Sequence, residues 1–246
     1  MFDNIGNPLT LSQEIELKIE EAIRLKKLEQ GQKLPSEKDL CAMFGVSRTA
    51  LREALRMLSA RGLLSIKKGA GVYVNNYSSL HASKPMSLYL ELQFDKDYML
   101  HLVSVRQMLE PSIARLAARN RTDRDLLRLE KNLEAFVKKD QEAEQLAKYD
   151  VEFHMTIAEA TGNPLIPLIM DPLYSMLPRI KELIVSRLNE NKSTNASKYH
   201  QKIYDMLKKQ DEEGVFKAMT DHLKIALKDT LNLIKIIETE DKQNTN

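Results

Sequence analysis

The chain has 246 residues, 43% hydrophobic and 29% charged, with a formal net charge of +2. This length allows two domains with real cores, and the composition excludes disordered and fibrous classes. A single cysteine, Cys41 in the apolar run LCAMF, excludes an intrachain disulfide framework and fits a buried thiol in a reducing compartment.

No apolar run approaches the length of a membrane span, and MFDNIGNPLTLSQEIELKIE lacks a signal-peptide core. The expectation is a cytoplasmic protein with no membrane partner. The small net charge is unevenly placed: residues 33–68 hold eight basic against three acidic side chains, a net +5 that leaves −3 for the remainder. A local basic block points to a polyanion partner for that block alone, unless it is a solvated basic face.

In chain order, Leu11, Ile15, Ile19, Ala22 and Ile23 recur at helical spacing and predict a helix over 11–29, ending near Gly31. Ser36, with Asp39 three residues on, predicts the cap of a short second helix that Gly45 ends. Ser47 predicts the cap of a third helix, with Leu51, Ala54, Leu55 and Leu58 on one side and a stop near Gly62. LLSI and VYV read as short strands, and the glycines of the intervening KKGAG suit a tight turn. This order predicts a winged helix-turn-helix over 1–75.

The segment 75–85, NNYSSLHASKP, is polar and turn-rich and ends in proline, so 76–94 is expected to be a linker. Beyond it, periodicity predicts helices near 95–119, 122–139, 141–161, 164–190, 196–210 and 214–238. Thr122 with Asp125 resembles a capping box, and Asn163–Pro164 a cap and first helical residue. Pro167, Pro172 and Pro178 should kink or split the segment that follows. The expected architecture is mainly α: the winged head plus an antiparallel all-helical bundle over 95–240.

A recognition helix presents short polar and guanidinium side chains at its first turn, the end that enters the major groove. SRTALREAL supplies these: Ser47 and Thr49 for phosphates, and Arg48 and Arg52, one turn apart, for guanine edges. Lys38 on the preceding helix, and Lys67, Lys68 and Gly69 on the wing, complete the expected surface for double-stranded DNA. The alternative is a helical hairpin with a basic solvent face. The run LPSE-K-DL, FGVSRTALREAL, L-ARGLL and KGAGVYV resembles the GntR-type winged helix of bacterial transcription regulators across residues 12–74. Many such relatives carry arginine at Lys38; lysine keeps the charge and loses the planar fork, which favours a phosphate contact there.

The chain has five histidines. His81 and His101 read most simply as surface or packing residues. His154, His200 and His222 each sit among apolar neighbours in a predicted helix, and Asp150 lies one turn before His154. Asp150 and His154 alone fit an exposed ion pair, a structural histidine or half a metal site. With the other two histidines they form an N₃O set suited to zinc, nickel, manganese or iron, although their sequence spacing is too wide to be a local motif.

VRQMLEPSIARLAA, YDVEFHMTIAEATGNPL, YHQKIYDMLKKQD and AMTDHL resemble the FCD ligand-binding domain of the FadR subfamily, over about residues 95–235. That resemblance implies a divalent metal, zinc first, held by Asp150, His154, His200 and His222 in a helical cavity. It also implies a small carboxylate effector gripped by Arg106, a residue that could instead pair with Glu110 one turn away. The leading expectation is a metabolite-responsive, non-enzymatic regulator, a repressor, that binds a pseudo-palindromic operator as a homodimer. A metal-sensing regulator and a metal-dependent enzyme with an appended head are the alternatives. Against the enzyme, no general base beyond the ligands and no nucleophile motif can be named.

Overall fold

A computed structural model describes residues 9–76, 79–137, 142–188 and 193–244 of the chain. It contains two compact units, Met1–His81 and Ala82–Asn246.

The first unit runs α1 (Leu11–Arg24), α2 (Glu37–Phe44), α3 (Arg48–Ala60), β1 (Leu64–Lys67) and β2 (Gly71–Val74). Each cap expected from sequence forms. Ser36 accepts from the Asp39 amide, Ser47 accepts from the Ala50 amide, and Gly45 closes α2 in the left-handed region at φ 66°. Helix α1 stops earlier than 29: after the Leu25 cap, Lys26 takes φ 56° and turns the chain out. The strands form an antiparallel hairpin with Leu64 opposite Val74, and Lys33 adds a bridge to Tyr73. Ile15 and Ile19 of α1 pack with Leu40, Leu51, Leu55 and Leu58 and with Leu64, Val72 and Val74 of the hairpin. Truncating one of these leucines should cost about 2–5 kcal/mol. The result is the expected winged helix-turn-helix.

Helix α4 (Ser79–Leu92) spans the division at His81, and the second unit continues with α5 (Lys96–Asn120), α6 (Asp123–Phe136), α7 (Ala143–Ala160), α8 (Leu165–Tyr174), α9 (Leu177–Leu188), α10 (Ser193–Lys208) and α11 (Glu212–Asn244). Much of the expected linker is therefore helical, with Pro85 inside α4. A proline disfavours a helix interior, which is why sequence suggested a boundary. Beyond it, Leu90 is buried against Met99, Leu102, Met170 and Tyr174, and this packing sustains the second half of α4. The proline-rich segment splits as expected, between α8 and α9. Thr122 and Asp125 form a full capping box. The cap of α8 falls one residue later than expected, at Pro164, with Leu165 the first helical residue; the Asn163 side chain accepts from the Leu165 amide. The predicted ends at 139, 141 and 190 lie outside the described residues.

Helices α5 and α11 pack along each other, with α7 against α5, α6, α8 and α9, and α10 against α6 and α11. One core gathers Ala114, Ala117 and Ala118 of α5 with Phe153 and Ile157 of α7, Ile203 and Leu207 of α10, and Met219 and Leu223 of α11. Small alanines on α5 let its neighbours approach closely, and that brings the polar residues beside them together. No helix among the described residues is long and apolar enough to cross a membrane.

Candidate metal centre and nucleic-acid interface

Asp150 and His154 lie one turn apart on α7, and the buried Ala147, Phe153 and Ile157 hold that helix in the bundle. His200 comes from α10 and His222 from α11. All four are buried, and each offers a ligand atom within 4.8 Å of the others. His154 Nε2 and His222 Nε2 are 3.2 Å apart, and His200 Nε2 is 3.4 Å from Asp150 Oδ1. Aromatic packing fixes the rings: Phe153 stacks on His200 at 4.2 Å between centroids, and Phe136 meets His200 edge-on.

Behind this cluster stands Glu110 on α5, 1% exposed. Its Oε2 lies 2.8 Å from His154 Nδ1, while its Oε1 accepts from Arg106 Nε at 2.5 Å. The two atoms meet at ion-pair distance, outside hydrogen-bonding geometry; a carboxylate beside Nδ1 favours the proton on that nitrogen and leaves Nε2 for the cluster, as an outer carboxylate does for a ligating histidine. A second ion pair involves Lys181 on α9, whose Nζ lies 2.6 Å from Asp150 Oδ1.

The electrostatics follow from burial and pairing. Burial works against the Glu110 carboxylate, yet the Arg106 guanidinium and His154 more than offset it and lower the pKa to about 2. Burial likewise opposes charge on Arg106, and Glu110 overrules it, holding the guanidinium charged. Asp150 is held well below the usual carboxylate range by Lys181, His200 and His154, again against its own burial. Burial, and then the neighbouring imidazoles, keep His222 below its ordinary value; burial does the same for His200, against the pull of Asp150. Burial and the Glu110 carboxylate raise Tyr174, so it stays a neutral phenol.

The residues fit a metal ion on two counts. Among the described residues, both ring nitrogens of His200 are buried without a hydrogen-bond partner, and Asp150 Oδ1 meets Lys181 as an ion pair, outside hydrogen-bonding geometry. Buried polar atoms left in this state are costly, and a cation among them would satisfy several at once. The 3.2 Å gap between two histidine nitrogens also matches two ligands on one ion, since bonds of about 2.0–2.1 Å place neighbouring ligands roughly 3.0–3.4 Å apart. Beside the set, Arg106 Nη2 is buried and has no hydrogen-bond partner among the described residues. The ion pair with Glu110 that sequence offered as an alternative role for Arg106 forms through Nε, and it leaves this second nitrogen unspent.

In the first unit, α3 buries Leu51, Ala54, Leu55 and Leu58 and exposes Ser47, Arg48, Thr49 and Arg52. Lys38 on α2 and Lys67, Lys68 and Gly69 at the hairpin turn are also exposed. Gly69 takes φ 74°, which the tight turn requires. Lys67 Nζ sits 4.9 Å from the Tyr73 ring centre. Arg52 is engaged: its Nε donates to Glu37 Oε2 at 2.9 Å. Arg61, counted in the basic block, pairs with Glu16 and Glu20 of α1 and is neutralised there.

Sequence reasoning considered Glu110 only as a partner for Arg106 and missed its contact with His154. It missed Lys181 and Tyr174 altogether. The Arg106–Glu110 spacing was a signal for the first; PRIKEL carries none for Lys181.

Residues 11–74 match the family described as bacterial regulatory proteins, gntR family, and residues 101–224 match the FCD domain. The chain is 33% identical over 204 residues to the HTH-type transcriptional regulator LutR of Bacillus subtilis, covering 82% of this chain and 92% of that protein. It is 31% identical to the HTH-type transcriptional repressor NanR of Cronobacter sakazakii, covering 87% and 82% respectively. A solved structure of Streptococcus agalactiae GntR shares the fold, with a TM-score of 0.67 at 24% identity, over 88% of this chain and 99% of that one.

Proposed function

From the premise that the chain belongs to the GntR family of bacterial regulatory proteins and carries an FCD domain, we propose how this transcriptional regulator senses and responds. It is a cytoplasmic repressor that binds a pseudo-palindromic operator as a homodimer. A small organic acid at a divalent metal in the helical bundle controls that binding. Residues 1–75 read DNA, 76–94 connect, and 95–240 sense and dimerise.

On the DNA side, Arg48 and Arg52 read base edges, while Lys38, Ser47, Thr49, Lys67, Lys68 and Gly69 contact the backbone and minor groove. Two recognition helices on a twofold site supply affinity and register together. In the bundle, Asp150, His154, His200 and His222 hold the ion, zinc first among nickel, manganese and iron. When bound, the ion supplies a Lewis-acidic point for an effector oxygen. Glu110 keeps the His154 proton on Nδ1, and Phe153 and Phe136 restrict the His200 ring. Arg106 Nη2 donates to the effector carboxylate while its Nε stays on Glu110. The acid controls operator affinity only through different affinities for the two conformations of the protein.

The single observation that carries this reading is the buried convergence of four ligand atoms within 4.8 Å, with a buried guanidinium nitrogen left unpartnered beside them. A thermal-shift screen of small carboxylates on metal-loaded protein, followed by operator titration with each hit, tests it. An acid that raises the melting temperature only with metal present, and that changes operator affinity, is the expected result. Operator affinity that responds to metal and to no acid would make the metal itself the signal.

A further inference from the structure

The charges around the cage select the kind of acid it takes, a point that rests on the effector reading above. Two cations, Arg106 and Lys181, face two anions, Glu110 and Asp150, with ion pairs of 2.5 Å and 2.6 Å. His154, His200 and His222 bind a metal as neutral imidazoles. The protein's own charges around the cage therefore cancel, and the double charge of a divalent ion is left over inside a buried site. Uncompensated buried charge is costly, so a bound acid carrying two negative charges neutralises the site and one carrying a single charge does not.

The two cations are placed to divide that task. Arg106 is 5% exposed and has one unpartnered nitrogen deep in the bundle. Lys181, on α9, pairs with Asp150 instead, and its side chain is 27% exposed against 4% for Asp150. Among the described residues its ammonium meets one carboxylate oxygen, which also lies 3.4 Å from His200 Nε2, and the face of Phe136, 5.6 Å from the ring centre. An oxygen shared between an ammonium and a metal gives less to each. Three donors on a flexible four-carbon stem let Lys181 turn to a second anionic group without leaving the cage.

We infer that Lys181 is a specificity-determining residue that binds the second carboxylate of a small dicarboxylic acid, whose first carboxylate is held by Arg106 at the metal. The site then prefers a dianionic acid to a monoanionic acid of the same length. A lysine serving only as the counter-ion of Asp150 would affect metal affinity and leave the choice of acid untouched.

Calorimetric titration of metal-loaded full-length protein with matched acids separates these roles: succinate against butyrate, and glutarate against valerate. The expected wild-type preference for the dianion is about 10–100-fold, the worth of one charge-assisted hydrogen bond. On protein saturated with metal, as checked by elemental analysis, Lys181→Met should lose that preference, because one positive charge is then left for a single carboxylate to neutralise. Lys181→Arg should retain the preference. Equal binding of both acids by the wild type, which needs no variant, overturns the inference; so does a preference that survives in Lys181→Met. If only monoanions bind and still change operator affinity, the role of Lys181 falls and the effector reading stands. If no acid binds metal-loaded protein, both fall.

Discussion

The two units each contain an arginine–glutamate pair at their proposed sites, and the pairs are opposites. In the head, Arg52 meets Glu37 at 2.9 Å with side chains 58% and 38% exposed. In the bundle, Arg106 meets Glu110 at 2.5 Å with side chains 5% and 1% exposed. The first pair can exchange either partner for water or phosphate at almost no cost. The second cannot be opened without stranding a charge in the interior. A surface that must hold and release a polyanion suits the first kind of pair. A cage that must keep a histidine in one tautomer suits the second.

Removing Glu110 tests that contrast most severely. Glu110→Ala strands Arg106 and frees the His154 ring, and should cost about 3–5 kcal/mol of stability in urea unfolding of metal-free protein. Metal affinity by chelator competition should fall about 10–100-fold, as when other outer partners of ligating histidines are lost. Unchanged chelator competition would remove Glu110 from the centre.

Acid should act on the same pair. The folded-state pKa of Glu110 is about 2, against 4.5 for a free glutamate. A depressed carboxylate contributes stability that is fully present above pH 4.5 and is lost as pH falls towards 2, because the unfolded state binds the proton first. The shift corresponds to about 3 kcal/mol. Metal-free wild type should lose this between pH 4.5 and 2, and Glu110→Gln should show a shallower loss over that window. Parallel profiles would mean that the carboxylate is not held charged by Arg106 and His154.

The difference between the units also governs what the sequence revealed. The head was legible almost throughout because its determinants are local: Ser36, Gly45 and Ser47 each set a cap within a few residues of themselves. The proposed metal ligands were legible as residue types, but their convergence depends on helices far apart in sequence. Nothing in the spacing of His154, His200 and His222 could show that α7, α10 and α11 meet. Glu110 was visible one turn from Arg106, yet its contact with His154 crosses from α5 to α7. Lys181 looks like any solvated lysine until α9 is packed. Helix α4 was missed because Pro85 and its polar neighbours argue locally against a helix, and the burial of Leu90 that favours one is tertiary.

In the head, Arg48 has no ion-pair partner among the described residues and stands at the first turn of α3. Arg48→Ala should cost about 1–3 kcal/mol of discrimination between operator and mismatched duplex, with the fold and metal content unchanged. Competition binding against singly substituted operators measures it. Loss spread evenly over all sequences would make Arg48 a phosphate contact.

The smallest effect should come from Glu37, and it isolates what the exposed pair does. A double-mutant cycle with Glu37→Gln and Arg52→Ala in the free protein should give a coupling of about 0.2–1 kcal/mol, since both side chains are solvated. On DNA the prediction changes sign. Arg52 must release Glu37 to reach a base, and the carboxylate left behind faces the phosphates. Glu37→Gln should therefore bind operator slightly more tightly than wild type, by a few-fold at low salt, a gain that fades as salt screens the repulsion. In the Arg52→Ala background, any remaining gain reports repulsion alone, so the difference between backgrounds measures the exchange of partners. Equal gains in both would mean that Arg52 keeps Glu37 in the complex, and base reading would then rest on Arg48 alone.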